Sequence, residues 1–224
     1  MMNKLALYVF PLGVIVGGYA VALASSIKRI YCGKAGETYF STSDIGWVVG
    51  HSYIIYGPLI AGMATVMYEG TPIRPDAGIW WKIVQDYKVN VMFSAPTAIR
   101  VLKKQDPAFL HQYDLSSLQR LYLAGEPLDQ PTHEWIMKEL NKPVIDHYWQ
   151  TETGWAMLSA VPGVEETPIK FGSPAFPVYG YNLKLFREDG SEADANEKAV
   201  VGVVPPLPPG CLSTVWGDDA RFVS

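Results

Sequence analysis

Short apolar runs and helical periodicities alternate through the middle of the chain. The runs have the length and composition of buried strands. The segments between them repeat their apolar residues at helical spacing, as Ile79, Ile83 and Tyr87 do on one face. A further helix is predicted ahead of this region, at Tyr19–Ile30. The predicted elements that follow are strand Ala64–Tyr68, helix Gly78–Tyr87, strand Val89–Phe93, helix Pro96–Lys104, strand Leu118–Leu123, helix Pro131–Leu140 and strand Val144–Ile145.

The alternation of strands and helices predicts an α/β fold, with a parallel sheet flanked by helices. Beyond Gly154 the pattern changes to turn residues and short alternating runs, such as Asn182–Phe186, which predict a smaller β-rich unit. The four prolines of Val204–Gly210 predict a rigid loop. We therefore divide the chain into an atypical segment 1–16, an α/β part 17–160 and a β-rich part 161–224.

The N-terminal region carries a long uncharged run, Leu5–Ile27, which follows Lys4. Small residues at Ala22–Ala24 have the spacing of a signal-cleavage site, so a secretory signal or a membrane span is one interpretation. One proline and three glycines interrupt the run, which favours the alternative of a buried helix preceded by an abnormal start. We expect no membrane association.

Composition and charge limit the functional classes. Hydrophobic residues make up 49% and charged residues 18% of the 224 positions, as in a folded protein. The net charge is −4 and no Lys/Arg run occurs, so no nucleic-acid partner is expected. The two cysteines, Cys32 and Cys211, lie far apart without a metal-binding pattern, which indicates a reducing, cytoplasmic location.

Candidate chemistry lies after the predicted strands, because open parallel sheets bind ligands beyond the carboxyl ends of their strands. Three segments follow strands in this way: Ser94–Thr97, Ala124–Pro127 and Asp146–Gly154. The third combines aromatic side chains with hydroxyls and a carboxylate, which suits a base, a phosphate and Mg²⁺ respectively. The alternative is an ordinary polar loop capped by Thr151, with Glu152 in a first helical turn.

These segments also carry a resemblance to a known family. Tyr148–Gly154 resembles the Y-W-Q-T-E-[ST]-G motif of AMP-forming acyl-CoA synthetases, which belong to the adenylate-forming superfamily. Asp44–Tyr53 resembles their D-x-G-W-V-x-G-H-S-Y segment, and Ala95–Arg100 and Gly125–Pro127 match two further motifs in the same order. The likeness extends over nearly the whole chain. It implies that the α/β part belongs to the large N-terminal domain of an adenylate-forming enzyme.

The resemblance implies a ligase that activates a small carboxylic acid, propionate or acetate, using ATP, Mg²⁺ and coenzyme A, with AMP as a product. The implied nucleotide-binding residues are Gly125, Glu126 and Pro127 for adenine and ribose, and Asp146, His147, Tyr148, Trp149, Gln150 and Thr151 for adenine and the α-phosphate. Thr151 and Glu152 are the implied catalytic residues, with Glu152 as the Mg²⁺ ligand. The implied acyl pocket consists of Trp47, Val48, Val49, Ala124 and Trp149.

The implied pocket bears on the choice of acid. Acetate-specific members of the resembled family carry Val where this chain has Ala124, and the loss of two methyl groups leaves room for a longer acyl chain. Trp149 would still exclude long chains. We expect propionate as the preferred acid and acetate or butyrate as slower substrates, because an apolar pocket discriminates one methylene by only about 1–3 kcal/mol. The alternative is that Ala124 packs against a bulkier neighbour.

The chain departs from the family pattern at both ends. Met1–Val16 has no Ser or Thr and only one Lys, Lys4, where the family carries a phosphate-binding loop. The sequence stops at Ser224, ahead of the family's ribose-binding Asp and C-terminal catalytic domain. We therefore expect no complete reaction from this chain alone. The alternative is a non-catalytic remnant that at most binds nucleotide.

Other residues are assigned no chemistry. His111 and His133 are expected in surface loops or helices without a chemical role. The Trp80–Trp81 pair is expected to pack a helix onto the sheet.

Overall fold

The computed structural model describes residues 16–215 and 217–223, with only the backbone of Val16. The expectations for residues 1–15, a signal or membrane segment or an abnormal start, lie outside the described residues. The first described element is helix α1, Val16–Arg29, which contains the helix predicted at Tyr19–Ile30 apart from its last residue. No helix in the described ranges is long and apolar enough to cross a bilayer.

A five-stranded parallel sheet forms the centre of the fold, in the order β2-β1-β3-β4-β5. Its strands are β1 (Thr38–Ser41), β2 (Ala64–Val66), β3 (Val89–Ser94), β4 (Arg120–Leu123) and β5 (Val144–Asp146). The parallel sheet predicted from the alternation is therefore confirmed. Strand β1 was not predicted, because its apolar run consists only of Tyr39 and Phe40, between the polar Thr38 and Ser41.

Helices cover both faces of the sheet, and successive strand residues face opposite sides. Tyr122 packs into one hydrophobic cluster with α1, whereas its neighbour Leu121 packs into a second cluster on the other face. Trp80 and Trp81 are buried in the second cluster, as predicted. The helices that contribute to this cluster are α4 (Ile79–Asp86), α5 (Pro96–Lys103), α6 (Ala108–His111) and α7 (Gln130–Leu140).

A helical segment that was not predicted connects β1 to β2. It consists of α2 (Val48–Gly50), a π-helical stretch (His51–Tyr56) and α3 (Gly57–Ile60). The interior Gly57 and Pro58 disrupt the sequence pattern of a helix, although the backbone continues through them. π-Helical turns occur frequently at functional sites.

The later part of the chain contains two small antiparallel sheets and a short helix. These elements are β6 (Leu158–Ser159), β7 (Phe176–Pro177), β8 (Leu183–Phe186), β9 (Val200–Val203) and α8 (Asp219–Val223). The β-rich character is therefore confirmed. Val178, Tyr181 and Cys211 pack into the same cluster as α1, so this part shares a core with the α/β part. The boundary at residue 160 stays a prediction.

Candidate functional site

The three candidate segments leave the sheet at one edge. Ser94 at the end of β3 lies beside Leu123 at the end of β4, and Leu123 lies beside Asp146 at the end of β5. Since the strands are parallel, the chain that follows each of them emerges on the same side. The register thus brings together residues that are separated by dozens of positions in sequence.

A cavity of about 300 Å³ lies at this edge of the sheet. Seven of its lining residues are predicted nucleotide-binding residues: Gly125, Glu126, Pro127, Asp146, His147, Tyr148 and Trp149. Leu128, Gly172 and Pro174 complete the lining and were not predicted. The other predicted site residues do not border this cavity; they are Trp47, Val48, Val49, Ala124, Gln150, Thr151 and Glu152. The volume is at the lower end of the range for small-molecule sites.

The Glu126 carboxylate connects the Ala124–Pro127 segment to the Ser94–Thr97 segment through hydrogen bonds. One of its oxygens accepts hydrogen bonds from the Thr97 backbone amide, at 2.6 Å, and from the Thr97 hydroxyl. The Arg100 guanidinium donates to the other oxygen at 3.0 Å, and these contacts hold the pKa of Glu126 below its usual range. Because α5 engages the carboxylate, these bonds hold the Gly125–Pro127 backbone close to the start of α5.

Asp146 brings a buried carboxyl group to the cavity. Only 9% of the residue is exposed, and burial raises its pKa to about 7, although the backbone amide of His147 partly offsets this effect. The Asp146 carboxyl group can therefore form hydrogen bonds to a ligand in an environment that is poorly solvated. A carboxyl group of this kind suits the exocyclic amine of a purine base.

His147 borders the cavity, but its ring is bonded to the protein. Nδ1 lies 2.8 Å from the Leu123 carbonyl oxygen and must donate to it, so Nε2 accepts from the Tyr31 hydroxyl at 2.9 Å. Burial lowers the pKa of His147 to about 4, which keeps the ring neutral. Both ring nitrogens are satisfied, and the side chain therefore anchors the end of β5 in the core.

The motif from Gln150 to Gly154 forms a capped turn. Its 3₁₀ helix, Thr151–Thr153, is capped by Gln150. The backbone amide of Gln150 donates a hydrogen bond to Thr153 Oγ1 at 3.0 Å. The cap predicted at Thr151 is therefore wrong by one residue, whereas Glu152 does lie in the first turn. The Leu212 amide donates to the Glu152 carbonyl oxygen at 2.7 Å, which ties the turn to the chain that follows the proline-rich loop.

The Glu152 side chain is exposed and is available to a ligand. No hydrogen bond or ion pair engages its carboxylate within the described residues. Those residues also contain no group of three or more His, Cys, Asp or Glu side chains suited to a metal ion. Mg²⁺ in phosphate chemistry is commonly held by one or two carboxylates together with substrate phosphates. A single exposed carboxylate such as that of Glu152 is compatible with that mode of binding.

Three of the predicted acyl-pocket residues share one hydrophobic cluster. Ala124 is buried in the cluster, and Val49 and Trp149 are half-buried and pack against it. Tyr53 contacts Trp149 edge to face, with ring centroids 5.5 Å apart and an interplanar angle of 77°. The cluster adjoins the cavity, because Trp149 belongs to both.

Trp47 and Val48 lie at the start of α2 and are more open. Trp47 is 52% exposed and Val48 is half-buried, so neither belongs to the buried cluster. Position 50 requires a glycine, since a Cβ atom there would lie 2.5 Å from the Asp44 carbonyl oxygen. The glycine thus permits the turn at Asp44 to pack directly against the helix that Trp47 begins.

Comparison with known proteins gives consistent matches. Residues 14–203 match the AMP-binding family, described as AMP-binding enzyme. The chain is 59% identical over 209 residues to a propionate–CoA ligase of Salmonella typhimurium, covering 93% of this chain and 33% of that protein.

More distant relatives match over a similar range. An acetyl-coenzyme A synthetase of Wolinella succinogenes is 40% identical over 210 residues, which cover 92% of this chain and 32% of that protein. The mitochondrial acyl-CoA synthetase short-chain family member 3 of Bos taurus is 42% identical over 219 residues, covering 95% of this chain and 32% of that protein. The chain spans about a third of the length of these curated relatives. The match over residues 14–203, which is most of the chain, establishes that the chain belongs to the AMP-binding enzyme family.

Proposed function

We propose that this chain supplies the acyl and adenylate subsites of a short-chain acyl-CoA synthetase that acts on propionate, with acetate as the alternative acid. The observation that carries the proposal is the cavity at the carboxyl edge of the sheet, which is lined by two of the family motifs. The 59% identity to a propionate–CoA ligase supports propionate over acetate.

The proposed reaction has two steps. In the first, a carboxylate oxygen of the acid attacks the α-phosphorus of ATP, which gives an acyl adenylate and releases pyrophosphate. In the second, the sulfur of coenzyme A attacks the acyl carbon, the thioester forms and AMP leaves. Neither step needs a side-chain nucleophile, so positioning and charge neutralisation are the main contributions of the protein.

The proposed nucleotide roles are those of the motif residues in and near the cavity. Asp146 would accept a hydrogen bond from the base amine, and Tyr148 and Trp149 would provide apolar surface beside the base. The Thr151 hydroxyl would donate to the α-phosphate, and Glu152 would hold Mg²⁺. The bound ion would neutralise charge on the phosphates.

The proposed acid subsite is the apolar contact of Val49, Ala124 and Trp149. A valine at position 124 would add two methyl groups to a site that is already buried. Since close-packed interiors accommodate added volume poorly, this change would shorten the acyl chain that fits.

A binding titration of the 224-residue chain tests both subsites. The probes are AMP and an alkyl ester of AMP with a propyl group, which is an unreactive mimic of propionyl adenylate. We expect both to bind, with the propyl ester more tightly than AMP. Ala124→Val is expected to reduce that preference by about tenfold or more.

The matched control is Ala77→Val, which makes the same change in the cluster on the opposite face of the sheet. It is expected to leave the ratio of the two affinities unchanged. Failure of the chain to bind AMP would refute the nucleotide subsite. An unchanged ratio in Ala124→Val would refute the acid subsite alone.

We propose that the 224 residues do not turn over by themselves, because their relatives extend over about three times this length. Purified chain with ATP, Mg²⁺, propionate and coenzyme A is expected to give no propionyl-CoA. Detection of the thioester by mass spectrometry would contradict this expectation.

A cytoplasmic location is also proposed, because both cysteines are free. Fractionation of cells that produce the chain tests this proposal. Recovery of the chain with the membrane or the exported fraction would refute it.

A further inference from the structure

His133 is a buried residue on α7, behind the cavity. The expectation of a surface position is wrong, because the side chain has no exposed area. Its burial follows from helical spacing, which places it on the same face as the buried Ile136 and Leu140. His111, the other histidine expected at the surface, is exposed and pairs with Glu139 at 2.8 Å.

The His133 ring contacts the strand that ends at the cavity. Nε2 lies 2.7 Å from the carbonyl oxygen of Val144 on β5 and donates to it. Nδ1 is buried without a hydrogen-bond partner within the described residues. Burial lowers the pKa of His133, so the ring is neutral and carries its proton on Nε2. The bond lies two residues before Asp146, which lines the cavity.

The same ring also contacts a residue next to a second part of the cavity lining. Phe171 meets His133 edge to face, with centroids 4.9 Å apart and an interplanar angle of 79°. Phe171 directly precedes Gly172, and Gly172 and Pro174 both line the cavity. We call residues 170–175 the wall loop.

The wall loop is held at its end by Ala175, which packs against the cluster that contains α1, and it leads directly into β7. Its Ser173 amide bonds to Lys170 and its Ala175 amide to the Ser173 hydroxyl, so these bonds lie within the loop itself. Phe171 is 37% exposed, and its ring contact with His133 connects the wall loop to α7.

We infer that His133 is a positioning residue, which braces the wall loop against β5 and so fixes the width of the adenylate cavity. The inference rests on the proposed function for the nature of the ligand, but the bracing itself exists without ligand. One ring contacts Val144, two residues before the lining residue Asp146, and Phe171, which directly precedes the lining residue Gly172. Removing the ring should loosen the Gly172–Pro174 side while the Asp146 side stays in the sheet.

The first test measures hydrogen exchange of the Ser173 amide in the ligand-free chain. His133→Ala should accelerate exchange by roughly threefold to tenfold, the size expected when one aromatic pair is lost. His133→Phe keeps a ring against Phe171 and should restore slow exchange, whereas His133→Asn keeps a donor without a ring and should not. His111→Ala is the control, because His111 also contacts α7 but lies outside the cavity.

Phe171→Ala approaches the same contact from its exposed side and does not depend on a substitution in the core. It should accelerate exchange to the same extent as His133→Ala, and the double variant should show no further increase. Unchanged exchange in Phe171→Ala, or additive effects in the double variant, would overturn the inference.

The second test is AMP affinity. In a chain that binds AMP, His133→Ala and Phe171→Ala should each raise Kd by roughly threefold to tenfold, and His133→Phe should restore it. A lower melting temperature with unchanged Kd would mean a merely structural residue and would overturn the inference. Faster wall-loop exchange in a chain that never binds AMP would support the bracing and refute the proposed function.

Discussion

Asp146 and His147 are adjacent in sequence, yet their pKa values are shifted in opposite directions by one cause. Burial raises the pKa of Asp146 to about 7 and lowers that of His147 to about 4, because it disfavours the charged form of each group. Asp146 lies beside the cavity and His147 is bonded into the core. The two groups therefore give stability opposite dependences on pH.

Asp146→Asn should stabilise the chain at high pH. In the folded state this carboxyl has a higher pKa than the unfolded value of about 3.9, so its contribution to stability is lost as pH rises from about 4 to 7. Asparagine has no charge to desolvate. The free energy of unfolding of the variant should match the wild type near pH 4 and exceed it by about 1–3 kcal/mol at about pH 8, as measured by urea titration.

The control for this prediction is Glu188→Gln, which removes an acidic charge at an exposed position. Its difference from the wild type should not grow over the same pH range. A constant difference for Asp146→Asn over that range would show that the carboxyl is not held neutral by the fold.

His147→Gln should reduce a loss of stability in acid. The folded pKa of about 4 is below the unfolded value of about 6.5, so the contribution of the neutral ring is complete above about pH 6.5 and is lost as pH falls towards 4. In an Asp146→Asn background, the chain that keeps His147 should lose about 1–3 kcal/mol between about pH 7 and pH 4. The chain that also carries His147→Gln should show a smaller decrease, to which His133 still contributes because burial lowers its pKa as well.

Exposed His111 provides the comparison for the acid effect. His111→Gln in the same background should keep the decrease over this acid range. If His147→Gln kept it in full as well, another group would be responsible.

Gly154→Ala should destabilise the turn that carries Glu152. The backbone there has φ +73°, and an added Cβ would lie 2.4 Å from the Gly210 carbonyl oxygen. The left-handed conformation costs about 1 kcal/mol and the clash adds more, so we expect a loss of about 3 kcal/mol or more in thermal or urea unfolding.

Gly36→Ala separates these two effects. Gly36 has φ +85°, but nothing lies within 4 Å of an added Cβ. It should therefore lose only about 1 kcal/mol. Equal losses at the two glycines would mean that the contact between Gly154 and Gly210 is not close in solution.

Arg100→Lys should weaken the connection between the first two motifs. The guanidinium donates to Asp129 at 2.7 Å, to Glu126 at 3.0 Å and to the Pro127 carbonyl oxygen at 2.8 Å. A single ammonium cannot satisfy this planar arrangement. We expect a loss of about 1 kcal/mol in stability, kept small by solvent screening, together with weaker AMP binding.

The same substitution at an exposed helix position, Arg29→Lys, should change neither quantity. Isothermal titration with AMP and urea unfolding of both variants provide the measurement. Unchanged AMP affinity in Arg100→Lys would show that the guanidinium does not position the Gly125–Pro127 backbone.

Much of the site could be predicted because its residues follow directly after strands. The apolar pattern that identifies a strand depends only on residues close together in sequence. The strands and helices predicted between residues 64 and 146 begin and end within two residues of their predicted bounds. The segments after β3, β4 and β5 then had to emerge at one edge, since parallel strands align their carboxyl ends. Local pattern did not predict β1, whose apolar run is only Tyr39 and Phe40, or the helical segment from Val48 to Ile60, which has Gly57 and Pro58 in its interior.

The sequence by itself determined the alternating α/β order, the edge of the sheet that carries the motifs, and the family likeness. Only the tertiary structure decided that Gly172 and Pro174 line the cavity, that Glu126 engages Thr97 and Arg100, and that His133 is buried in contact with Val144 and Phe171. The physical reason is how far apart in sequence the interacting residues are. Helical and strand periods depend on neighbours a few residues away, whereas these contacts join segments that are distant in sequence, and packing alone selects them.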